Sequence, residues 1–84
     1  MIRVAICDDD RTILHGLEIA LRADADLEVV AAVERGEDAL AYEGPVDVWL
    51  MDVRLPGLSG VQVAAAMRAA GSTSKVLMMT SFDV

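Results

Sequence analysis

Eighty-four residues, 55% hydrophobic and 25% charged, make one small domain with an apolar core and exclude a disordered or fibrous chain. A net charge of −7, with only seven Lys and Arg well scattered, disfavours nucleic acid as a direct partner and suits cations and basic protein surfaces. Cys7 is the single cysteine, so no internal disulfide forms; with no signal peptide and no apolar run of bilayer length, a cytoplasmic location and no membrane contact are expected.

In chain order, Ile2 to Cys7 is a short apolar strand interrupted by Arg3, and it runs directly into Asp8, Asp9 and Asp10. From Arg11 to Arg22 the apolar residues Ile13, Leu14, Leu17 and Leu21 recur at helical spacing, with Gly16 as a weak interior point. His15 falls on the solvated face of that helix, and no second His or Cys nearby in sequence points to a transition-metal site. Leu27 to Val33 reads as a second strand. Gly36 to Glu43 reads as a short helix with Glu37 and Asp38 in its first turn, ended by Gly44 and Pro45. Val48 to Met51 is a continuous apolar run suited to a strand buried on both faces. It stops at Asp52 and a loop holding Pro56, Gly57 and Gly60. Ser59 and Gln62 fit a capping box that opens a helix with Val63, Ala66, Met67 and Ala70 as its apolar stripe, and Gly71 ends it. Lys75 to Met79 is a fourth strand, ending at Thr80 and Ser81.

Strands alternating with helices predict a parallel sheet with right-handed crossovers, and ligands collect at the carboxyl ends of such strands. Three of those ends are polar: Asp8 and Asp9, then Asp52, then Thr80 with Ser81. If the first and third strands are neighbours, about 4.8 Å apart, their carboxylates converge. Carboxylates held together repel until a cation enters, and oxygen ligands with room for water suit Mg²⁺. That chemistry fits phosphoryl transfer, with Asp52 as a nucleophile forming an acyl phosphate and the Thr80 hydroxyl reaching the new phosphoryl oxygens.

The pair Asp8-Asp9 after the first strand, Asp52 in Met-Asp-Val-Arg-Leu-Pro-Gly-Leu-Ser-Gly, and Thr80 in Leu-Met-Met-Thr-Ser-Phe-Asp extend this pattern across the whole chain. On these residues the chain resembles the receiver domain of two-component response regulators. The resemblance implies a doubly wound, flavodoxin-like α/β sheet of strand order 2-1-3-4 and phosphorylation of Asp52 by a phosphohistidine on a histidine kinase. It implies Mg²⁺ bound directly by Asp9, Asp52 and the backbone carbonyl of Arg54, with Asp8 acting mainly through water. Thr80 would be the switch hydroxyl, and the Ser81 amide would help hold the phosphoryl group. The Asp-Asp-Asp opening, Gly16-Leu17 and Thr-Ser-Phe-Asp look most like receivers that precede a helix-turn-helix output domain. The expected role is therefore a signalling phosphoacceptor, not an enzyme, that regulates transcription without touching nucleic acid itself.

Receivers usually have five strands and an active-site lysine after the fifth, so residues 1–84 read as a receiver truncated after its fourth strand. Lys75 does not replace that lysine, because it opens the fourth strand roughly 16 Å from the Thr80 end. The expectation is weak phosphorylation, and a homodimer or an exchange of elements through the exposed strand edge. Arg54 and Phe82 are expected to flank the phosphoryl site and shield it from water.

Plainer roles compete with these. Asp8, Asp9 and Asp10 precede a helix and can cap its amides, which is the reading favoured for Asp10. Cys7, Trp49 and the five methionines read as core residues, and Pro56 with Gly57 as turn residues. Asp8-Asp9-Asp10-Arg11-Thr12 also resembles the nucleophile loop of haloacid-dehalogenase-type phosphatases, with Asp8 as nucleophile and Asp10 as acid-base. That match is five residues long and lacks the later lysine and acidic pair such enzymes use. A third reading is a receiver core that folds and self-associates but is not phosphorylated.

Overall fold

The computed structural model describes residues 1–79. The elements run β1 (Ile2–Cys7), α1 (Arg11–Arg22), β2 (Leu27–Val33), α2 (Gly36–Ala41), β3 (Val48–Asp52), α3 (Gly60–Ala69) and β4 (Lys75–Met79). The strands form one parallel sheet in the order β2-β1-β3-β4, as the alternating pattern and the resemblance both implied.

The pleat divides the core in two. On one face Ala5, Cys7, Trp49 and Met51 meet Ala39 from α2 and Val63 and Met67 from α3. On the other, Ile6 and Val29 meet Leu14 from α1, with Leu17, Leu21, Leu50 and Met79 packed around them. Adjacent residues of β1 and β3 thus serve opposite faces, which is why Val4 to Cys7 and Val48 to Met51 are apolar without a break. Trp49 is an ordinary core residue, 3% exposed.

Each helix starts where its sequence says it should. Asp10 caps α1 by accepting the amides of Thr12 (2.9 Å) and Ile13 (3.3 Å), the role expected of it. At α3 the capping box is complete: Ser59 Oγ accepts the Gln62 amide (3.2 Å), and Gln62 Oε1 accepts the Ser59 amide (2.9 Å).

Four expectations need correction. Ala66 and Ala70, counted in the apolar stripe of α3, are exposed, and only Val63 and Met67 of that stripe are buried. Of the five methionines read as core, Met1 and Met78 are exposed, Met1 at the chain start and Met78 on the outer strand β4. Helix α2 ends at Ala41, not at Glu43, because Tyr42 turns extended (ψ 121°) and sets its ring edge-on to Trp49, 6.3 Å between centroids. Burying that ring against the core ends the helix before Gly44 and Pro45 are reached. Ile13, counted in the apolar stripe of α1, is instead 44% exposed and lies on the rim of the acidic site.

Candidate functional site

Register builds the site. Cys7 of β1 is paired with Met51 of β3, so Asp8 and Asp52, each one residue further on, leave the sheet side by side. Asp52 is paired in turn with Met79 of β4, and the Val53 amide donates to the Met79 carbonyl at 3.2 Å. Asp8, Asp9 and Asp52 each bring a carboxylate oxygen within 4.8 Å of the other two. They open on a depression of about 360 Å³ that Arg54, Ile13 and Met79 also line.

The three carboxylates are not equivalent. Asp8 is buried, 4% exposed, and accepts the Asp10 amide at 2.9 Å, which fixes its direction. Asp52 is half-buried and accepts the Arg54 amide at 3.1 Å. Its pKa is raised above the ordinary carboxylate value, chiefly by burial, with the charges of Asp8 and Asp9 adding and the Arg54 amide opposing. A cation placed among these groups would offset both the cost of burying the charge and the repulsion.

The donor set fits Mg²⁺. An octahedral ion with ligands at about 2.1 Å spaces its donors roughly 3 to 4 Å apart, so oxygens within 4.8 Å of one another need only a small contraction. All three donors are hard oxygens, and the depression leaves space for water. Arg54, whose carbonyl was expected as a further ligand, lines the same depression. Thr80, Ser81 and Phe82 lie outside the described residues. Lys75 is paired with Val48 at the opposite end of β4, far from the carboxylates.

Two features of the site were not anticipated from the sequence. Gly60, the first residue of α3, lies so close under the strand end that a Cβ there would collide with the Asp52 carbonyl. Glu37 reaches from α2 to accept the Leu58 amide at 3.3 Å in the loop that follows Asp52. A glycine directly after a capping serine, where a better helix former would ordinarily stand, is the one sequence signal that pointed to the first contact.

Clustered carboxylates at the carboxyl edge of a doubly wound parallel sheet define a class of cation-binding α/β domains. The family model described as the response regulator receiver domain matches residues 4–84, and the chain belongs to that family, the receiver domains of two-component signalling proteins. The transcriptional regulatory protein YxjL of Bacillus subtilis, itself described as uncharacterized, is 36% identical over 84 residues. The match covers 98% of this chain and 38% of that protein, so the chain spans well under half of its relative's length. The signal receiver domain of the response regulator NarL from Mycobacterium tuberculosis superposes with a TM-score of 0.86 at 32% identity, covering 99% of this chain and 68% of that one. TrrA from Thermotoga maritima, solved in complex with Mg²⁺ and BeF, superposes at 0.87 with 30% identity, covering 99% and 72%. TrrA has also been solved in complex with the histidine kinase ThkA, in a structure that superposes at 0.84 with 29% identity, covering 100% of this chain and 72% of that one.

Proposed function

We propose that this domain takes a phosphoryl group onto Asp52 from the phosphohistidine of a partner histidine kinase and passes the signal to a transcriptional output. The observation that carries this reading is the convergence of Asp8, Asp9 and Asp52 within 4.8 Å at the ends of adjacent strands. The states in which TrrA was solved, with Mg²⁺ and BeF and with its kinase, support the same reading.

In the transfer, an Asp52 carboxylate oxygen attacks phosphorus as the bond to the histidine nitrogen breaks, and the imidazole leaves with that electron pair. The Arg54 amide orients the Asp52 carboxylate for attack. Asp9, Asp52 and the Arg54 carbonyl would hold Mg²⁺, with the buried Asp8 acting through water. A Mg²⁺ held there would supply charge neutralisation and orientation for the incoming phosphoryl group. Thr80 and the Ser81 amide, which follow β4 directly in sequence, receive the phosphoryl oxygens. The domain works in the cytoplasm; among the described residues no helix is long and apolar enough to cross a membrane.

The edge of β4 belongs to the same proposal. Leu77 and Met78 are 57% and 40% exposed there, and among the described residues no strand pairs with β4 beyond β3. An apolar strand edge is a pairing template, so a second copy closes it in solution when nothing else does. Light scattering that finds a monomer at every concentration removes this part.

The second reading is a receiver core that binds Mg²⁺ but is not phosphorylated; Lys75, paired with Val48, lies at the end of β4 away from Asp52 and takes no part in either reading. Intact mass after incubation with Mg²⁺ and a small acyl phosphate separates the two. One added phosphoryl group, absent from Asp52→Asn, supports the first. The phosphatase reading is opposed by Asp10, whose carboxylate is engaged in capping α1.

A further inference from the structure

The segment between β3 and α3, residues 53–59, carries the Arg54 carbonyl and the Arg54 amide that orients Asp52. It is held at its ends by its own elements. The Gly60 amide donates to the Val53 carbonyl at 3.0 Å, Leu55 is buried, and Ser59 caps α3. Its middle, Pro56 to Leu58, is held from outside, by α2.

Two glycines make that approach possible. Gly36, the buried first residue of α2, lies so close to α3 and the segment that a Cβ there would sit 2.5 Å from Val63 Cγ2 and 3.2 Å from the Leu58 carbonyl oxygen. Gly57 has φ +75°, a conformation other residues rarely adopt, and a Cβ on it would lie 2.9 Å from Glu37 Oε1. Into the space so cleared comes the Glu37 carboxylate. Oε1 accepts the Leu58 amide at 3.3 Å, and Oε2 accepts from Arg35 Nε at 3.3 Å. Its own backbone amide and that of Leu58 hold the Glu37 carboxyl below the ordinary range, consistent with a carboxylate engaged as an acceptor.

We infer that Glu37 is a positioning residue for the phosphoacceptor site, a clamp from α2 that sets the 53–59 segment and through it the Arg54 carbonyl at the cation position. The inference rests on the reading of Asp8, Asp9, Asp52 and Arg54 as the Mg²⁺ site. Glu37 is not among the residues that line the acidic depression. It acts one step further out than a partner bonded to a metal ligand, whose loss commonly weakens metal binding about 10- to 100-fold, by restricting where the 53–59 segment can carry the Arg54 carbonyl.

The test is a Mg²⁺ titration of the full chain followed by amide chemical shifts, with Arg54 and Leu58 as the reporting amides, for wild type, Glu37→Ala and Glu37→Gln. The wild-type titration reads the site itself: if Mg²⁺ moves no amide near Asp52, the cation site is wrong and the clamp falls with it. Given wild-type binding, Glu37→Ala is expected to weaken it several-fold, below the roughly 10- to 100-fold range for partners bonded directly to a metal ligand. Beyond α2 itself, its shift changes should stay within the 53–59 segment, and its melting temperature should stay close to wild type. Glu37→Gln keeps an oxygen acceptor for the Leu58 amide and is expected to restore most of the affinity. Equal affinity in wild type and Glu37→Ala overturns the clamp while leaving the site intact. So does a Glu37→Gln variant as weak as Glu37→Ala, or a loss of affinity in Glu37→Ala that tracks a general loss of fold.

Discussion

Arg3, near the start of β1, and Asp47, just before β3, form a two-pronged ion pair: Nε to Oδ2 at 3.0 Å and the terminal guanidinium nitrogen to Oδ1 at 3.0 Å. The Arg3 backbone amide adds a third bond to Oδ2 at 2.8 Å. The pair fastens β3 to β1 at the end of the sheet opposite Asp52, and so helps fix the register that brings Asp8 and Asp52 level.

This pair makes acid stability predictable in sign. The Arg3 side chain and amide hold the Asp47 carboxyl down at about 2, below the unfolded carboxylate value of about 3.9. A depressed carboxyl contributes stability that is complete above the unfolded value and is lost as pH falls toward the folded one. Circular dichroism should therefore show the wild type losing stability between about pH 4 and pH 2 more steeply than Asp47→Asn. Parallel acid curves for the two proteins remove the pair from the account.

Cys7 is fully buried between β2 and β3, and burial first, then the charge of Asp52, pushes its thiol up to about 12. The thiolate is the reactive form. A disulfide reagent at pH 8 should leave the native protein unmodified and titrate one thiol per chain in denaturant. Rapid modification of the native protein means that β1 opens on that timescale.

Met51 is fully buried one residue before Asp52, packed with Trp49, Val63 and Met67. Truncation to Ala at such a site removes about 2–5 kcal/mol, against a total of about 5–15 kcal/mol for an ordinary domain. Met51→Ala should shift the urea midpoint strongly, whereas Ile19→Ala, at a residue 60% exposed on α1, should barely move it.

The strands and helices were legible because each carries a local signal: apolar runs at Ile2–Cys7 and Val48–Met51, caps at Asp10 and Ser59, a stop at Gly71. The site was legible for the same reason, since parallel strands put their last residues on one edge whatever else the chain does. What stayed hidden were contacts between distant segments. Glu37 reads as an acidic first-turn residue until α2 is placed against Leu58, 21 residues on, and Asp47 reads as loop polarity until Arg3, 44 residues back, is beside it. Tyr42 had a helix-ending Gly-Pro close behind it, and only the neighbouring Trp49 ring shows why the helix stops sooner.

The Gly60 contact yields a sharper test of the site's support. Gly60→Ala would force the Asp52 carbonyl or the start of α3 to move, because the new Cβ meets backbone and not a flexible side-chain end. Ala is otherwise the better helix former by about 1 kcal/mol, so propensity alone predicts a stabilised protein. The expected result is the opposite: a lower melting temperature together with weaker Mg²⁺ binding, read in one titration series. A Gly60→Ala protein more stable than wild type shows that the strand end yields easily.

Asp52 itself should limit stability when no cation is present. Its carboxyl is raised first by burial and then by the charges of Asp8 and Asp9, so the folded state holds an ionised group that the unfolded chain would hold more comfortably. Asp52→Asn removes that charge and keeps an oxygen for the Arg54 amide. In the presence of a chelator the variant should melt above wild type. Added Mg²⁺ should reverse the order, because a ligand at a hundredfold excess over its Kd adds about 2.7 kcal/mol to the protein that binds it and little to one that has lost a ligand. The crossing matters more than either curve, since a general effect of the substitution shifts both conditions alike. If Asp52→Asn melts below wild type without Mg²⁺, the burial of Asp52 and its repulsion by Asp8 and Asp9 do not limit stability.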